Sequence, residues 1–174
     1  MQDAGSHPPK GGAERAMEEV MLDPWYITGL VEGEGCFSVS FNLRDRLKVG
    51  VETRASFSLS MNRRDLELLK KVHAYFACGG IRFSRSDNTY KYEVRDIKDL
   101  TLKVIPHFEK YPLQGAKAED FEKFREICKM IKANLHLSPK HLPQIIELAY
   151  RMNPSGKRKY TKDFLLQVLG GMKV

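Results

Sequence analysis

The chain has 174 residues, with 29 Lys and Arg against 22 Asp and Glu, so its formal net charge is +7. Its isoelectric point is about 9.3. Nucleic acid is the leading partner of a basic protein, and an anionic membrane is the second. No apolar run approaches the roughly 20 residues of a membrane span, and the N-terminus has no apolar signal-peptide core. We therefore expect an intracellular protein, in a prokaryotic cytoplasm or an organelle, without a membrane partner.

The three cysteines, Cys36, Cys78 and Cys128, are widely spaced and form no C-x-x-C pair. An odd number at such spacing indicates reduced thiols, and it supports neither a zinc site nor a disulfide framework. Residues 1–21 are rich in glycine, proline, alanine and charge, which is typical of a disordered arm. We assign the rest, residues 22–174, to one domain that includes the C-terminal helices.

The first helix is predicted by Asp23 followed by Pro24, an N-cap carboxylate and a proline at the first helical position. It is expected to run from Trp25 to about Glu32 and to stop at the glycines 33 and 35. Strict alternation follows, which predicts a strand with Phe37, Val39, Phe41 and Leu43 on its apolar face.

The rest of the chain alternates strands and helices. Strands are predicted over residues 48–61, 81–84 and 90–94, and helices over residues 63–76, 97–109 and 118–133. Two C-terminal helices are expected, one starting at Ser138–Pro139 and ending near Met152, the other capped by Thr161. The order αββαββα, with strands that have one apolar and one polar face, predicts an α+β fold in which helices back a four-stranded antiparallel sheet.

Two features of the first helix need an explanation. Gly29 and Gly33 are four residues apart and share one helical face, although each glycine inside a helix costs about 1 kcal/mol relative to alanine. Such glycines usually allow another backbone to approach closely. Glu34 follows the predicted helix C-terminus, where the helix dipole disfavours negative charge. Its carboxylate therefore needs a cation, either a side chain or a metal ion.

The string Ile27–Gly35, I-T-G-L-V-E-G-E-G, resembles the signature of the LAGLIDADG homing endonucleases, and the resemblance extends from about Trp25 to Phe124. It implies that two such helices pack together, and that a chain with a single motif forms a homodimer. The interface residues would be Thr28, Gly29, Glu32 and Gly33. It also implies that Glu34 and the Gly33 carbonyl hold a divalent metal, Mg²⁺ or Mn²⁺, without an organic cofactor.

The polar face of the predicted sheet is rich in serine, asparagine, arginine and lysine, which suit hydrogen bonds to base edges and phosphates. The resemblance makes this face the expected DNA-reading surface. It lacks the paired exposed aromatic residues that stack single-stranded bases, which favours duplex DNA over RNA. The expected DNA-binding residues are Ser38, Ser40, Asn42, Arg44, Lys48, Arg54, Ser56, Ser58, Arg82, Ser84, Lys91, Glu93 and Arg95.

Basic and polar residues near the metal are also implied by the resemblance. Relatives often carry glutamine where Met61 stands, so Asn62 or Arg63 would have to take that catalytic role. Relatives typically show two lysines ahead of the long helix, the first of which belongs to the catalytic shell. This chain has Ala116 at that place and keeps only Lys117. The departure predicts weakened or lost cleavage without affecting the fold.

These observations lead to one prediction and two alternatives. The prediction is a homodimeric, metal-dependent, site-specific double-strand DNA endonuclease that acts in intron homing on a long near-palindromic site. The first alternative is a non-cleaving DNA-binding protein of the same fold, which Ala116 favours. The second is an RNA-binding intron maturase, which the missing stacking aromatics disfavour.

Overall fold

The computed structural model describes residues 21–154 and 156–171, so the predicted arm lies outside the described residues apart from Met21. Helix α1 spans Pro24–Glu34. The predicted cap is confirmed: the Asp23 carboxylate accepts from the backbone N–H groups of Trp25, at 2.8 Å, and Tyr26, at 3.2 Å. The helix is longer than predicted, because Gly35 and not Gly33 is its C-cap. Glu34 is therefore the last helical residue and does not follow the helix.

Four strands form one antiparallel sheet in the order β1-β2-β4-β3, as the α+β prediction required. Strand β1 spans Gly35–Leu43 and β2 spans Val51–Asn62. Strand β3 spans Gly80–Ser84 and β4 spans Thr89–Val94. Gly35 pairs with Leu59, and Phe57 pairs with Val94, so the apolar faces of the central strands coincide. Leu43 pairs with Val51 on the apolar face, as predicted, but it is 37% exposed because it lies at the end of β1.

The second strand begins three residues later than predicted. Gly50, with a φ of 64°, donates to the Leu47 carbonyl, and Arg44 donates to the Gly50 carbonyl, which closes a tight loop before β2. Three residues that were expected on the polar sheet face lie just beyond strand ends. Arg44 and Lys48 are in this loop, and Arg95 follows the end of β4. Their cations can still flank the sheet face, but they are not fixed by the strand register.

The helices lie on one side of the sheet. The Asn62 side chain caps a short 3₁₀ turn, Arg63–Asp65, which leads into α2, Leu66–Phe76. Helix α3 consists of three consecutive helical segments, Ile97–Asp99, Leu100–Val104 and Ile105–Lys110, and α4 spans Lys117–Lys132. Helix α5 spans Leu142–Tyr150 and α6 spans Lys162–Gly171. The helix predicted from Ser138 starts later, because residues 138–141 form a turn that the Ser138 carbonyl closes.

The core lies between the sheet and the helices and is centred on Phe37 of β1. Its ring centroid is 5.4 Å from that of Phe57 on β2, 5.3 Å from that of Phe108 on α3 and 5.2 Å from that of Phe124 on α4. All four rings are fully or almost fully buried. Burial of each such ring contributes about 2–3 kcal/mol, which fixes both long helices against the sheet. Among the described helices, none combines the length and apolarity that crossing a bilayer requires.

The segment after α5 covers the outer edge of β1. The Asn153 side-chain amide donates to the Phe37 carbonyl at 2.7 Å, and Arg158 Nη1 donates to the Val39 carbonyl at 3.2 Å. Arg158 Nη2 also donates to the Met152 carbonyl at 2.9 Å and to the Ala149 carbonyl. An uncovered edge strand is a template for unwanted strand pairing, and these side chains occupy its acceptors. The C-terminal region therefore does more than pack against the core.

Candidate nucleic-acid interface and metal site

One face of α1 has no neighbour among the described residues outside the helix. A Cβ atom built on Gly29 or on Gly33 would meet no atom within 4 Å. Tyr26, three residues before Gly29, is 48% exposed. Packing among residues 21–154 and 156–171 therefore does not require either glycine, and no contact there offsets the cost of about 1 kcal/mol per glycine.

Thr28 does not lie on this face, contrary to the interface prediction. It is 3% exposed, and its hydroxyl donates to the Tyr111 carbonyl at 2.9 Å. Since that hydroxyl has one proton, it accepts from His107 Nε2 at 3.2 Å, which leaves His107 Nδ1 to accept from the Tyr75 hydroxyl at 3.0 Å. Burial lowers the pKa of His107 to about 4, so the imidazole is neutral at neutral pH. Thr28 thus ties α1 to α3.

Glu32 also points into its own chain and not toward a partner. Its carboxylate accepts from the backbone N–H of Gly115 at 2.9 Å and from that of Gln114. Thr28 and Glu32 are one turn apart, so they share the inward side of α1. Of the four predicted interface residues, only Gly29 and Gly33 lie on the open face. Glu32 instead fixes the loop ahead of α4 to the helix.

Lys117 lies at the C-terminal end of α1, beside the predicted metal ligands. Its Nζ donates to the Val31 carbonyl at 2.9 Å and to the Gly35 carbonyl at 2.6 Å. The Val31 carbonyl also accepts from the backbone N–H of Gly35, so the cation adds a second donor there and offsets the negative end of the helix dipole. Glu34 lies between Val31 and Gly35 in the chain, and it is exposed. Ala116 is exposed as well, so the side-chain position before Lys117 is open to solvent.

Asn62 and Arg63 lie at the same end of the sheet as Glu34. Gly35 pairs with Leu59, and Asn62 follows Leu59 by three residues, about 10 Å along β2. The Asn62 amide oxygen accepts from the backbone N–H of Arg64 at 3.1 Å, so one of its polar atoms serves as a helix cap. The Arg63 side chain is exposed.

The polar face is organised in rows across the sheet. Ser58 pairs with Cys36 on one side and with Glu93 on the other, and Ser60 pairs with Lys91, which in turn pairs with Arg82. Most of this face is open, but Ser58 is only 5% exposed and is not accessible in the way that the DNA-binding prediction required. The predicted DNA-binding residues that do share the open face are Ser38, Ser40, Asn42, Arg54, Ser56, Arg82, Ser84, Lys91 and Glu93.

Glu93 is the centre of a cluster of three cations. Its carboxylate lies 3.3 Å from Arg82, 3.2 Å from Lys91 and 3.0 Å from Arg95, and its side chain is 10% exposed. Burial acts to raise the pKa of Glu93, but the hydrogen bond from Lys91 and the charges of all three cations outweigh it and hold that pKa below its usual range. Glu93 is thus an anionic centre that orients cations, a role that the sequence did not indicate.

Glu52 forms a second cluster near the other end of β2. Its carboxylate lies 2.9 Å from Arg54 and 3.1 Å from Arg44. The hydrogen bond from Arg54 is the main cause that lowers the pKa of Glu52. In both clusters the cations outnumber the carboxylate, so the face stays basic while its arginines are held in place.

The carboxylates of one chain do not by themselves form a metal centre. Within the described residues, no three His, Cys, Asp or Glu side chains are grouped as a metal site. The oxygen donors at the end of α1, Glu34 and the Gly33 carbonyl, are of the type that Mg²⁺ and Mn²⁺ prefer. They fit such an ion in chemistry, provided that further oxygen ligands come from outside the chain.

Fold and site together define an α+β protein whose basic sheet face adjoins a helix that ends in a carboxylate. Residues 27–128 match the model of the LAGLIDADG endonuclease family, and the chain belongs to that family. The matched residues run from the start of the motif in α1 to the last third of α4 and include all four strands. The resemblance seen in the sequence is therefore confirmed.

Relatives of known name and solved structures agree with this assignment. A probable intron-encoded endonuclease of Neurospora crassa is 34% identical over 133 residues, 76% of this chain and 25% of that protein. The homing endonuclease I-TnaI is 32% identical with a TM-score of 0.75, covering 87% of this chain and 99% of that one. I-Vdi141I, an archaeal intron-encoded homing endonuclease complexed with DNA, is 29% identical with a TM-score of 0.79, covering 86% and 95%. The chain spans about a quarter of the first curated relatives it matches.

Proposed function

We propose that the protein is a site-specific double-strand DNA endonuclease of the intron-homing type. It acts as a homodimer through the open face of α1, on a long near-palindromic duplex. The observation that carries the proposal is the pair of glycines, Gly29 and Gly33, on the helix that ends in Glu34; their face contacts no other part of the chain that the structure describes. Two such helices in contact would bring two carboxylates to one location beside two basic sheet faces.

The metal ion, Mg²⁺ or Mn²⁺, would be held by the Glu34 carboxylate of each protomer with the Gly33 carbonyl. When bound, it supplies an activated water and stabilises charge on the leaving oxygen. Lys117, which already lies at the α1 terminus, would stabilise the negative charge of the phosphate. Asn62 and Arg63, at the same end of the sheet, would order water and phosphate. The cleavage rate would then depend on Lys117 alone, at the place where relatives typically have two lysines.

Two alternatives keep the same fold. A non-cleaving DNA-binding protein is favoured by Ala116, which gives no second cation next to Lys117. An RNA-binding maturase would need stacking platforms, and the polar face of the described sheet presents hydroxyl, amide and charged groups instead. Duplex DNA as substrate is supported by the homologous structure of I-Vdi141I, which is complexed with DNA.

The substitution Glu34→Gln tests the cleavage step. We expect at least a 1,000-fold loss of cleavage on a duplex selected by the wild-type protein from a randomised library, because a neutral amide is a poor metal ligand. Duplex affinity should change less than threefold, since Glu34 is not on the sheet face. The control Glu67→Gln removes the same charge from an exposed residue of α2. Full cleavage by the Glu34 variant would exclude it from the metal site, and a wild type that binds without cutting would support the non-cleaving alternative.

The substitution Gly29→Ala tests the helix pairing, since its two expected effects have opposite signs. Within one protomer the added methyl group meets nothing, so the isolated fold should gain up to about 1 kcal/mol in helix propensity. In the dimer it would separate the paired backbones, and the dissociation constant from sedimentation should rise at least 100-fold. Gly170→Ala in α6, which also meets nothing within 4 Å, is the control. An unchanged dimer would refute pairing through this face.

A further inference from the structure

A groove runs along the outer edge of β1 and borders the polar sheet face. It encloses a volume of about 650 Å³. Polar side chains of β1 form one wall, among them Ser38, Ser40 and Asn42. The other wall is the edge loop, residues 156–160, which contributes three consecutive cations, Lys157, Arg158 and Lys159. Apolar side chains line the groove as well, among them Phe41, Tyr150 and Tyr160, so its cations stand beside apolar surface.

The cations of the edge loop differ from those of the sheet because no carboxylate compensates them. No Asp or Glu lines the groove among the described residues. Across residues 21–154 and 156–171, none of the ion pairs includes Lys157, Arg158 or Lys159. Lys157 and Lys159 are also exposed. Uncompensated, exposed lysines close together indicate a site for an anion from outside the chain.

The edge loop is held rigidly enough to present these lysines. Arg158, between them, is half-buried and donates to carbonyls of β1 and α5 while its guanidinium lies 4.5 Å from the centroid of the Tyr150 ring. The Tyr150 hydroxyl in turn donates to the Tyr160 carbonyl at 2.6 Å. Lys157 and Lys159 therefore flank an anchored residue, and a ligand would not have to order the backbone of the loop on binding.

We propose that Lys157 and Lys159 of the edge loop form a second DNA-contact site beside β1, which binds the phosphate backbone and not the bases. This rests on the proposed function, since it takes duplex DNA as the molecule on the sheet. A sheet lying in a major groove about 12 Å wide has a phosphate strand along each of its edges. Lysine binds phosphate as a point charge without base preference. The site therefore adds affinity and salt dependence, and leaves the choice of sequence to the sheet.

The test compares the double variant Lys157→Gln/Lys159→Gln with the matched control Lys132→Gln/Lys140→Gln, two exposed lysines of the helical layer. Affinity is measured against salt for the library-selected duplex and for an unrelated duplex of equal length. Each lost phosphate contact should reduce the slope of log K against log salt by about 0.9 in magnitude, and the double variant should lose about tenfold or more in affinity for both duplexes at about 0.1 M salt. In an ethylation-interference experiment, some phosphates should interfere with binding of the wild type when they are ethylated. The phosphates that contact Lys157 and Lys159 should no longer interfere with binding of the double variant.

The outcomes separate this site from the proposed function. Slopes equal to those of the control variant, or a loss confined to the selected duplex, would overturn the phosphate site even if the wild type cleaves its target. A wild type that does not cleave, but whose duplex affinity and slope fall in the double variant, would overturn the endonuclease and retain the site. Because both lysines are exposed, thermal unfolding should be unchanged, and a fall in melting temperature above that of the control would point to a structural role instead.

Discussion

The sheet face and the edge loop both present cations, but different groups hold those cations in place. On the sheet, Glu93 and Glu52 each hold two or three cations within 3.3 Å, so the arginines are oriented and partly neutralised. In the edge loop, main-chain carbonyls hold Arg158, and the lysines on either side form no ion pair with any described residue. Oriented donors suit the reading of base edges, whereas free charges suit phosphates. Two parts of one basic surface can therefore differ in function, because in one part carboxylates pair with the cations and in the other they do not.

The largest expected effect comes from removing the anchor of the edge loop. Arg158→Ala loses hydrogen bonds to three carbonyls and the contact with the Tyr150 ring, so we expect a loss of about 2–4 kcal/mol in the free energy of unfolding. Arg54→Ala is the matched change on the sheet, where an exposed ion pair contributes about 0–1 kcal/mol. Urea unfolding measures both. Equal losses would remove the distinction between the two regions.

A smaller effect is expected from neutralising the central carboxylate of the sheet. Glu93→Gln should strengthen binding to an unrelated duplex about tenfold at about 0.1 M salt, because the three cations become available to phosphates. The ratio of selected to unrelated affinity should fall by a similar factor as the arginines lose their orientation. Filter binding against salt measures both quantities. If Glu93→Gln behaves like Glu67→Gln, a carboxylate away from the sheet, the cluster does not govern selectivity.

The smallest effect is expected at the second cluster. Glu52→Gln should act in the same direction by only about threefold, because Glu52 orients two cations that are themselves 44% and 47% exposed. Both carboxyl pKa values lie below the usual range, so acidification to about pH 5 should not mimic either substitution. Any stability from these pairs is present above the unfolded pKa and is lost only as the pH falls through the folded one. Wild-type binding to the unrelated duplex that rises to the level of the variants at about pH 5 would contradict this.

Much of the fold could be predicted from local signals. The Asp23 cap and the alternation of β1 and β2 are short-range patterns, and both were confirmed. The strand and helix starts that were wrong depend on turns. The loop closed by Gly50 and the turn at Ser138 shorten the elements that follow them, and their hydrogen bonds are not encoded in periodicity.

The site was less predictable because it depends on contacts far apart in the chain. Helical geometry alone places Thr28 and Glu32 on a different face from Gly29 and Gly33. The sequence could therefore have excluded Thr28 and Glu32 from the interface, although the family resemblance included them. By contrast, Glu32 meets a loop more than 80 residues away, and Arg158 meets Val39 across 119 residues. The central role of Glu93 depends on the strand order β2-β4-β3, which no local pattern fixes.

The side chains that cover β1 have a practical consequence for handling the protein. Asn153 and Arg158 occupy the outward carbonyls of Phe37 and Val39, the groups to which a foreign strand would bind. A fragment cut before residue 153 would expose the edge of β1. Strands from further copies could then pair with it one after another, whereas a two-fold dimer closes after one contact. Truncated preparations should therefore form aggregates and precipitate, even though every residue matched by the family model is retained.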